Sequence, residues 1–161
     1  MKKTNVARIL DRFKIKYELI EYQVDADDLS AVHVAESVGI PIEKVYKTLV
    51  LQGDKNGIFV CIVPGGKEID LKKAAVASSN KKVGMIKMNE LESLTGYLRG
   101  GCSPLGMKKN YPIFIDQSVL KKPFIFISTG IRGMQIKIAP ADLVTVTKAV
   151  TTDIIDESYN I

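Results

Sequence analysis

The sequence predicts a single α+β domain, built on a mixed, mostly antiparallel sheet that is curled or closes into a partial barrel, with helices around it. Three observations predict this. Segments with period-two alternation come in hairpin-like pairs, helical segments lie between them, and a regular βαβ succession is absent. The chain of 161 residues suits one domain, since domains most often run to about 100–150 residues. No repeat, low-complexity tract or linker divides it, so 1–161 is one unit, with a core over 4–156 and a short tail.

The elements follow in order. Thr4 or Asn5 caps a helix in which Val6, Ile9, Leu10 and Phe13 recur at helical spacing. Tyr17 to Tyr22 alternates as a half-buried strand. Ser30 begins a second helix through Val34 and Val38, which Gly39 and Pro41 close. Tyr46 to Leu51 and Ile58 to Val63 are strands, with Gly53-Asp54-Lys55-Asn56-Gly57 as the hairpin loop. Asp70 caps a helix over 71–77, a strand follows near 83–87, and Asn89 with Glu92 resembles a capping box for a helix ending at Gly96. Further strands fall at 113–116, 123–128 and 134–138. Pro140 opens a last short helix, and the final dozen residues read as a loosely held tail.

Composition excludes several function classes. Met1-Lys2-Lys3-Thr4 is followed by Arg8, Asp11, Arg12 and Lys14, not by the apolar run of a signal peptide. No stretch reaches the roughly 18–20 uncharged residues of a membrane span, so a cytoplasmic protein without a membrane partner is expected. Cys61, Cys102 and the single His33 are too few and too scattered for a zinc site, so no metal is expected. The GxGxxG and GxxxxGK[ST] phosphate loops are missing, and no cofactor is expected. Twenty-three basic against eighteen acidic residues give a net charge of +5, a mild bias toward polyanions such as nucleic acid. A serine hydrolase is disfavoured: His33 lies on a predicted helix and no GxSxG turn exists.

Three segments break local rules, which is where function is expected. In Val45-Tyr46-Lys47-Thr48-Leu49-Val50-Leu51, period two places Lys47 on the face of Leu49 and Leu51. It is either a strand-end lysine with its head in water or a lysine in an apolar cleft, able to meet a carbonyl or phosphate. The run from Leu94 to Gly106 holds four glycines and a proline. It is either a surface loop or a pocket wall of exposed backbone N–H groups. Ser128-Thr129-Gly130-Ile131-Arg132-Gly133 is a hairpin turn or a source of N–H and hydroxyl donors.

These segments also carry a resemblance. Lys47-Thr48-Leu49-Val50, Asp70-Leu71-Lys72-Lys73-Ala74-Ala75, Thr95-Gly96-Tyr97 with Gly100-Gly101, and Ser103-Pro104-Leu105-Gly106 occur in series. Ser128 with Gly130, Arg132-Gly133 and Ala139-Pro140-Ala141-Asp142-Leu143 complete it. In this order the chain resembles the YbaK-type Cys-tRNA deacylases, relatives of the editing domain inserted in bacterial prolyl-tRNA synthetases.

The resemblance implies a trans-editing deacylase that removes cysteine from Cys-tRNA(Pro), and from Cys-tRNA(Cys), through attack of the substrate's own thiol on the ester carbonyl. The implied partners are the 3′ end of aminoacyl-tRNA and prolyl-tRNA synthetase in a ternary complex. Lys47 matches the family's essential lysine and Tyr22 its pocket tyrosine. Gly100 and Gly101 match its backbone wall, and Ser128 and Gly130 the turn facing the aminoacyl group. Thr48, Thr95, Gly96, Tyr97, Ser103, Pro104 and Thr129 complete the implied binding set. Thr129 stands where relatives carry a smaller residue, which bears on the amino acid accepted. Cys102 has no implied role. The alternatives are a deacylase for another small amino acid such as alanine, and a non-catalytic module that binds tRNA or a synthetase.

Overall fold

The computed structural model describes residues 4–158. Helix α1, Asn5–Arg12, starts where the Thr4 hydroxyl accepts the Ala7 N–H, and it buries Val6, Ala7 and Leu10. Removing side chains such as Val6 and Leu10 from water contributes about 1.5–3 kcal/mol each. Strand β1, Tyr17–Glu21, follows. Helix α2, Ala31–Val38, is capped by Ser30 and stopped by Gly39 at φ 80°. Strands β2, Tyr46–Gly53, and β3, Gly57–Pro64, form the expected hairpin, in register from Tyr46↔Pro64 to Gly53↔Gly57.

Helix α3, Leu71–Ala77, begins where the Asp70 carboxylate accepts the N–H groups of Lys72 and Lys73. Then come β4, Val83–Met85; α4, Leu91–Thr95; β5, Ile113–Asp116; β6, Ile125–Ser128; β7, Met134–Ile138; α5, Pro140–Thr147; and β8, Val150–Thr152.

The strands form two sheets. One is antiparallel, in the order β1-β7-β6; the other is mixed, in the order β4-β2-β3-β5-β8. In the second, β2 pairs antiparallel with β3 and β4, while β3–β5 and β5–β8 are parallel. A single bridge, Val45↔Phe126, ties the sheets together just before β2. The predicted mixed, mostly antiparallel arrangement is therefore present, but it is split in two and no barrel closes among the described residues.

Strand β3 shows why its sequence is almost wholly apolar: it is covered on both faces. Phe59, Cys61 and Val63 pack with Leu51, Ala74, Phe114 and Ile154. On the other face Ile62 meets Leu10, Ile115 and Ile127, and Val60 meets Val50, Leu91 and Cys102. Cys61 is thus the small core hydrophobe its flanking residues suggest.

Several expectations are corrected. The stretch read as a tail includes β8, and Ile154 and Ile155 behind it are buried. The Asp116 carboxylate accepts the Ile154 N–H at 3.1 Å, and the Lys73 ammonium holds Asp153 at 3.0 Å and donates to the Ile155 carbonyl. A three-residue strand is too short to show a period, and its parallel partner lies 36 positions upstream (Phe114↔Val150). Residues 1–3 and 159–161 of the two predicted ends lie outside the described residues.

The Asn89–Glu92 capping box does not form. Asn89 sits inside a 3₁₀ turn, Met88–Glu90, which runs directly into α4, so no side chain caps that helix. Two more 3₁₀ turns, Ile42–Lys44 and Gln117–Lys121, occupy segments to which the sequence assigned no element. The strands expected at 83–87 and 123–128 shorten to β4 and β6.

Candidate functional site

A cleft of about 470 Å³ opens where the two sheets meet. Strand β2 contributes Lys47, Thr48, Leu49 and Val50, while β6 and β7 contribute Ser128 and Gln135. The edge from β4 into α4 adds Met85, Ile86, Met88 and Leu91, and the glycine-rich loop adds Arg99, Gly100 and Cys102. Leu29, Ala31 and Val34 at the start of α2, with Glu68, complete much of the wall.

Lys47 sits at the open end of the β2 face whose Leu49 and Leu51 pack into the core under α3. Its side chain is neither free in water nor fully enclosed. Burial pushes its amine below the ordinary lysine value, against the opposing attraction of Glu68. A cation so placed, in a cleft with mostly apolar walls, interacts with a developing negative charge more strongly than it would in water.

Among the described residues, two buried side-chain oxygens have no hydrogen-bond partner, and both belong to residues of this cleft: Thr48 Oγ1 and Gln135 Oε1. Gln135 is only 4 % exposed, so its orphaned carbonyl oxygen has no ready access to water. A buried acceptor left unpaired costs about 1–3 kcal/mol. Ser128 stands directly opposite Gln135 in the β6–β7 register, and its Oγ accepts the Gly130 N–H at 3.2 Å.

The two glycine-bearing segments are one structure. Gly100, at φ 83°, lies against Leu29, and Gly101 packs on the backbone of Gly130 and Arg132. Arg132 Nε donates to the Arg99 carbonyl at 2.7 Å, locking the turn after β6 to the loop. At Gly130, φ 94°, an added Cβ would stand 2.6 Å from Tyr97 Cε1.

Of the residues implied from the sequence, Lys47, Thr48, Gly100 and Ser128 line the cleft. The others are found behind its wall. Tyr22 packs near Val34, Ala35 and Val45 and donates its N–H to the Gly133 carbonyl. Thr95 Oγ1 donates to the Leu91 carbonyl and accepts the Tyr97 N–H, Gly96 ends α4 at φ 86°, and the Tyr97 hydroxyl donates to the Leu105 carbonyl. Ser103, wholly buried, accepts the Leu105 N–H, and Pro104 is buried beside it. Thr129 is 1 % exposed, with its hydroxyl turned back onto Met134 and Ile131 within its own turn.

Sequence reasoning missed Glu68, Arg99, Gln135 and the methionine edge. Gln135 alternates with Ile136 and Ile138 as a solvent-facing residue would, and only the second wall of the cleft buries it. His33 Nε2 meets Ser37 Oγ at 3.2 Å and does not line the cleft. Burial pushes the Cys102 thiol up to about 12, so it stays protonated at neutral pH. Among the described residues no cluster of His, Cys, Asp or Glu could hold a metal, and no helix is long and apolar enough to cross a membrane.

This geometry has close counterparts. A protein of Enterococcus faecalis named "Putative Cys-tRNA(Pro)/Cys-tRNA(Cys) deacylase EbsC" is 46% identical over 145 residues, covering 90% of this chain and 88% of the relative. The proline–tRNA ligase of Fervidobacterium nodosum is 29% identical over 79 residues, which are 49% of this chain and 14% of the ligase. A crystal structure described as "a putative trans-editing enzyme for prolyl tRNA synthetase" superposes with a TM-score of 0.80 at 25% identity, covering 96% of this chain and 99% of the other. The profile of the aminoacyl-tRNA editing domain matches residues 26–146, a span that carries every residue of the cleft wall described above. The chain belongs to the aminoacyl-tRNA editing domain family.

Proposed function

We propose that this protein is a trans-acting deacylase that removes cysteine from mischarged Cys-tRNA(Pro), with Cys-tRNA(Cys) as a second substrate, and that the chain acts as one editing unit. The observation that carries the reading is a partly desolvated Lys47 in a cleft that His33 does not line, where Ser128 Oγ accepts the Gly130 N–H and the Cys102 thiol stays protonated. Such a site can stabilise charge and hold a substrate, while the nucleophile must come from elsewhere.

The cysteinyl ester brings its own nucleophile. Its thiol sulfur attacks the ester carbonyl carbon, a C–S bond forms, and the bond to the terminal ribose oxygen breaks as that oxygen takes up the thiol proton. The resulting thiolactone is opened by water to free cysteine. The Lys47 ammonium faces the charge that develops on the carbonyl oxygen. Gln135 Oε1 and Thr48 Oγ1, unpartnered without substrate, accept hydrogen bonds from the α-ammonium group. Relation to segments of proline–tRNA ligases supports a ternary complex with prolyl-tRNA synthetase, and work on charged tRNA supports a place in the cytoplasm.

Incubation with Cys-tRNA(Pro), Ala-tRNA(Pro) and Pro-tRNA(Pro) tests the proposal. Loss of the cysteine charge alone is expected. Loss of alanine alone would move the specificity and remove the thiol step, and binding without turnover of any of the three would make the protein a binding module.

A further inference from the structure

The cleft is larger than a cysteinyl group requires. Its volume of about 470 Å³ lies in the range of roughly 300–1,000 Å³ in which nucleoside- and drug-sized ligands are held. Of its polar groups, Lys47, Thr48, Ser128 and Gln135 come from β2, β6 and β7, and Ser30, Glu68 and Arg99 from the segments between. The remaining wall, from β4 into α4, is chemically different.

On that wall Met85 and Met88 line the cleft and are nevertheless 48% and 55% exposed. A single exposed apolar side chain needs no explanation. Here two long ones share one rim of one concave site, with Ile86 between them. Their backbone is anchored: Met85 pairs with Leu51 in the β4–β2 register, and the Ile86 N–H donates to the Val50 carbonyl at 3.3 Å. The edge is therefore fixed in place while the thioethers remain adaptable. Methionine sulfur is polarizable, the side chain has three rotatable bonds, and it makes favourable contacts with aromatic rings.

We infer that the Met85–Ile86–Met88 edge seats the purine base of the substrate's 3′-terminal nucleotide. This rests on the reading of the cleft as an aminoacyl-tRNA site. An aminoacyl ester carries its base on the same ribose, so a base must lie within one sugar of the polar end. The methionine edge offers that base an apolar, uncharged surface in the same cavity. Arg99 in the same lining supplies positive charge for the phosphate that joins this nucleotide to the chain. The surface selects by contact area with the ring, so it favours a purine over a pyrimidine.

The test uses the full-length protein carrying 13C-methyl methionine, titrated with the trinucleotides CpCpA and CpCpC. The Met85 and Met88 methyl resonances are expected to shift with CpCpA and much less with CpCpC, while Met107 and Met134 serve as internal references. In deacylation, a Met85→Ser, Met88→Ser double variant should raise KM about tenfold and leave kcat within about twofold. Met88→Leu, which keeps the apolar area, should raise KM less than Met88→Ser does. Equal responses to both trinucleotides, silence in both, or an unchanged KM in the double variant would overturn the inference. The two readings fail separately. Methyl shifts with CpCpA but no turnover of Cys-tRNA would remove the deacylase alone, and turnover with silent methyls would remove the base seat alone.

Discussion

Ser128 and Gln135 face each other across the β6–β7 ladder at the wall of the cleft, and they are satisfied differently. Ser128 Oγ accepts a hydrogen bond from its own turn, whereas Gln135 Oε1 is buried and accepts none. A polar atom held in that condition destabilises the fold.

Replacing Gln135 with Met keeps the volume and removes the orphan. Unfolding should then occur at a higher temperature, by about 2–8 °C if about 1–2 kcal/mol of the burial cost is relieved. The same variant should bind aminoacyl substrate more weakly, with KM raised about tenfold or more. Calorimetry and steady-state deacylation on one preparation check both. A lower midpoint with unchanged KM would mean that Gln135 serves packing alone.

Lys47→Met should reduce turnover by about 10²-fold or more, the usual loss when a group facing developing charge is removed. Its effect on stability has a sign set by burial. Because the folded protein lowers the Lys47 value below 10.5, the unfolded chain binds the proton more readily. Stability of the parent therefore falls as pH drops from 10.5 through the lowered value, and the deficit is in full force below it. The variant escapes this deficit, so it should gain on the parent at pH 7 and lose that advantage above pH 10.5. Urea unfolding of both proteins across this window measures it, and a gap independent of pH would contradict the assignment.

Gly130→Ala should destabilise the protein by about 1–3 kcal/mol. The position has φ 94°, and the new methyl would stand 2.6 Å from Tyr97 Cε1. Since Tyr97 belongs to the loop that carries Gly100 and Cys102 into the cleft, activity should fall together with stability. Gly39→Ala, at φ 80° with nothing within 4 Å of the added Cβ, has the backbone strain without the collision and serves as the control. Equal thermal midpoints for the two variants would show that the Tyr97 contact contributes nothing.

Much of the fold was legible because its causes are local. Thr4, Ser30 and Asp70 were readable as caps since each side chain bonds an N–H two or three residues away. The β2–β3 hairpin was readable because its loop brings adjacent segments into register. β8 and the two-sheet division were not, because the parallel β3–β5 and β5–β8 pairings join segments that share no local signal.

The site divides in the same way. Lys47, Thr48, Gly100 and Ser128 were identifiable from motifs and prove to line one cleft, whereas Gln135, Glu68 and the methionine edge were not. By itself the sequence determined the helices, the hairpin, the family and the lysine most exposed to test. Tertiary structure alone decided that the side-chain oxygen of an apparently solvent-facing glutamine is buried without a partner, that the Thr129 hydroxyl bonds back within its own turn, and that two methionines line the cleft. The physical reason is that periodicity reports which way a side chain leaves its own strand or helix. Burial and unmet hydrogen bonds depend on what distant segments place in front of it.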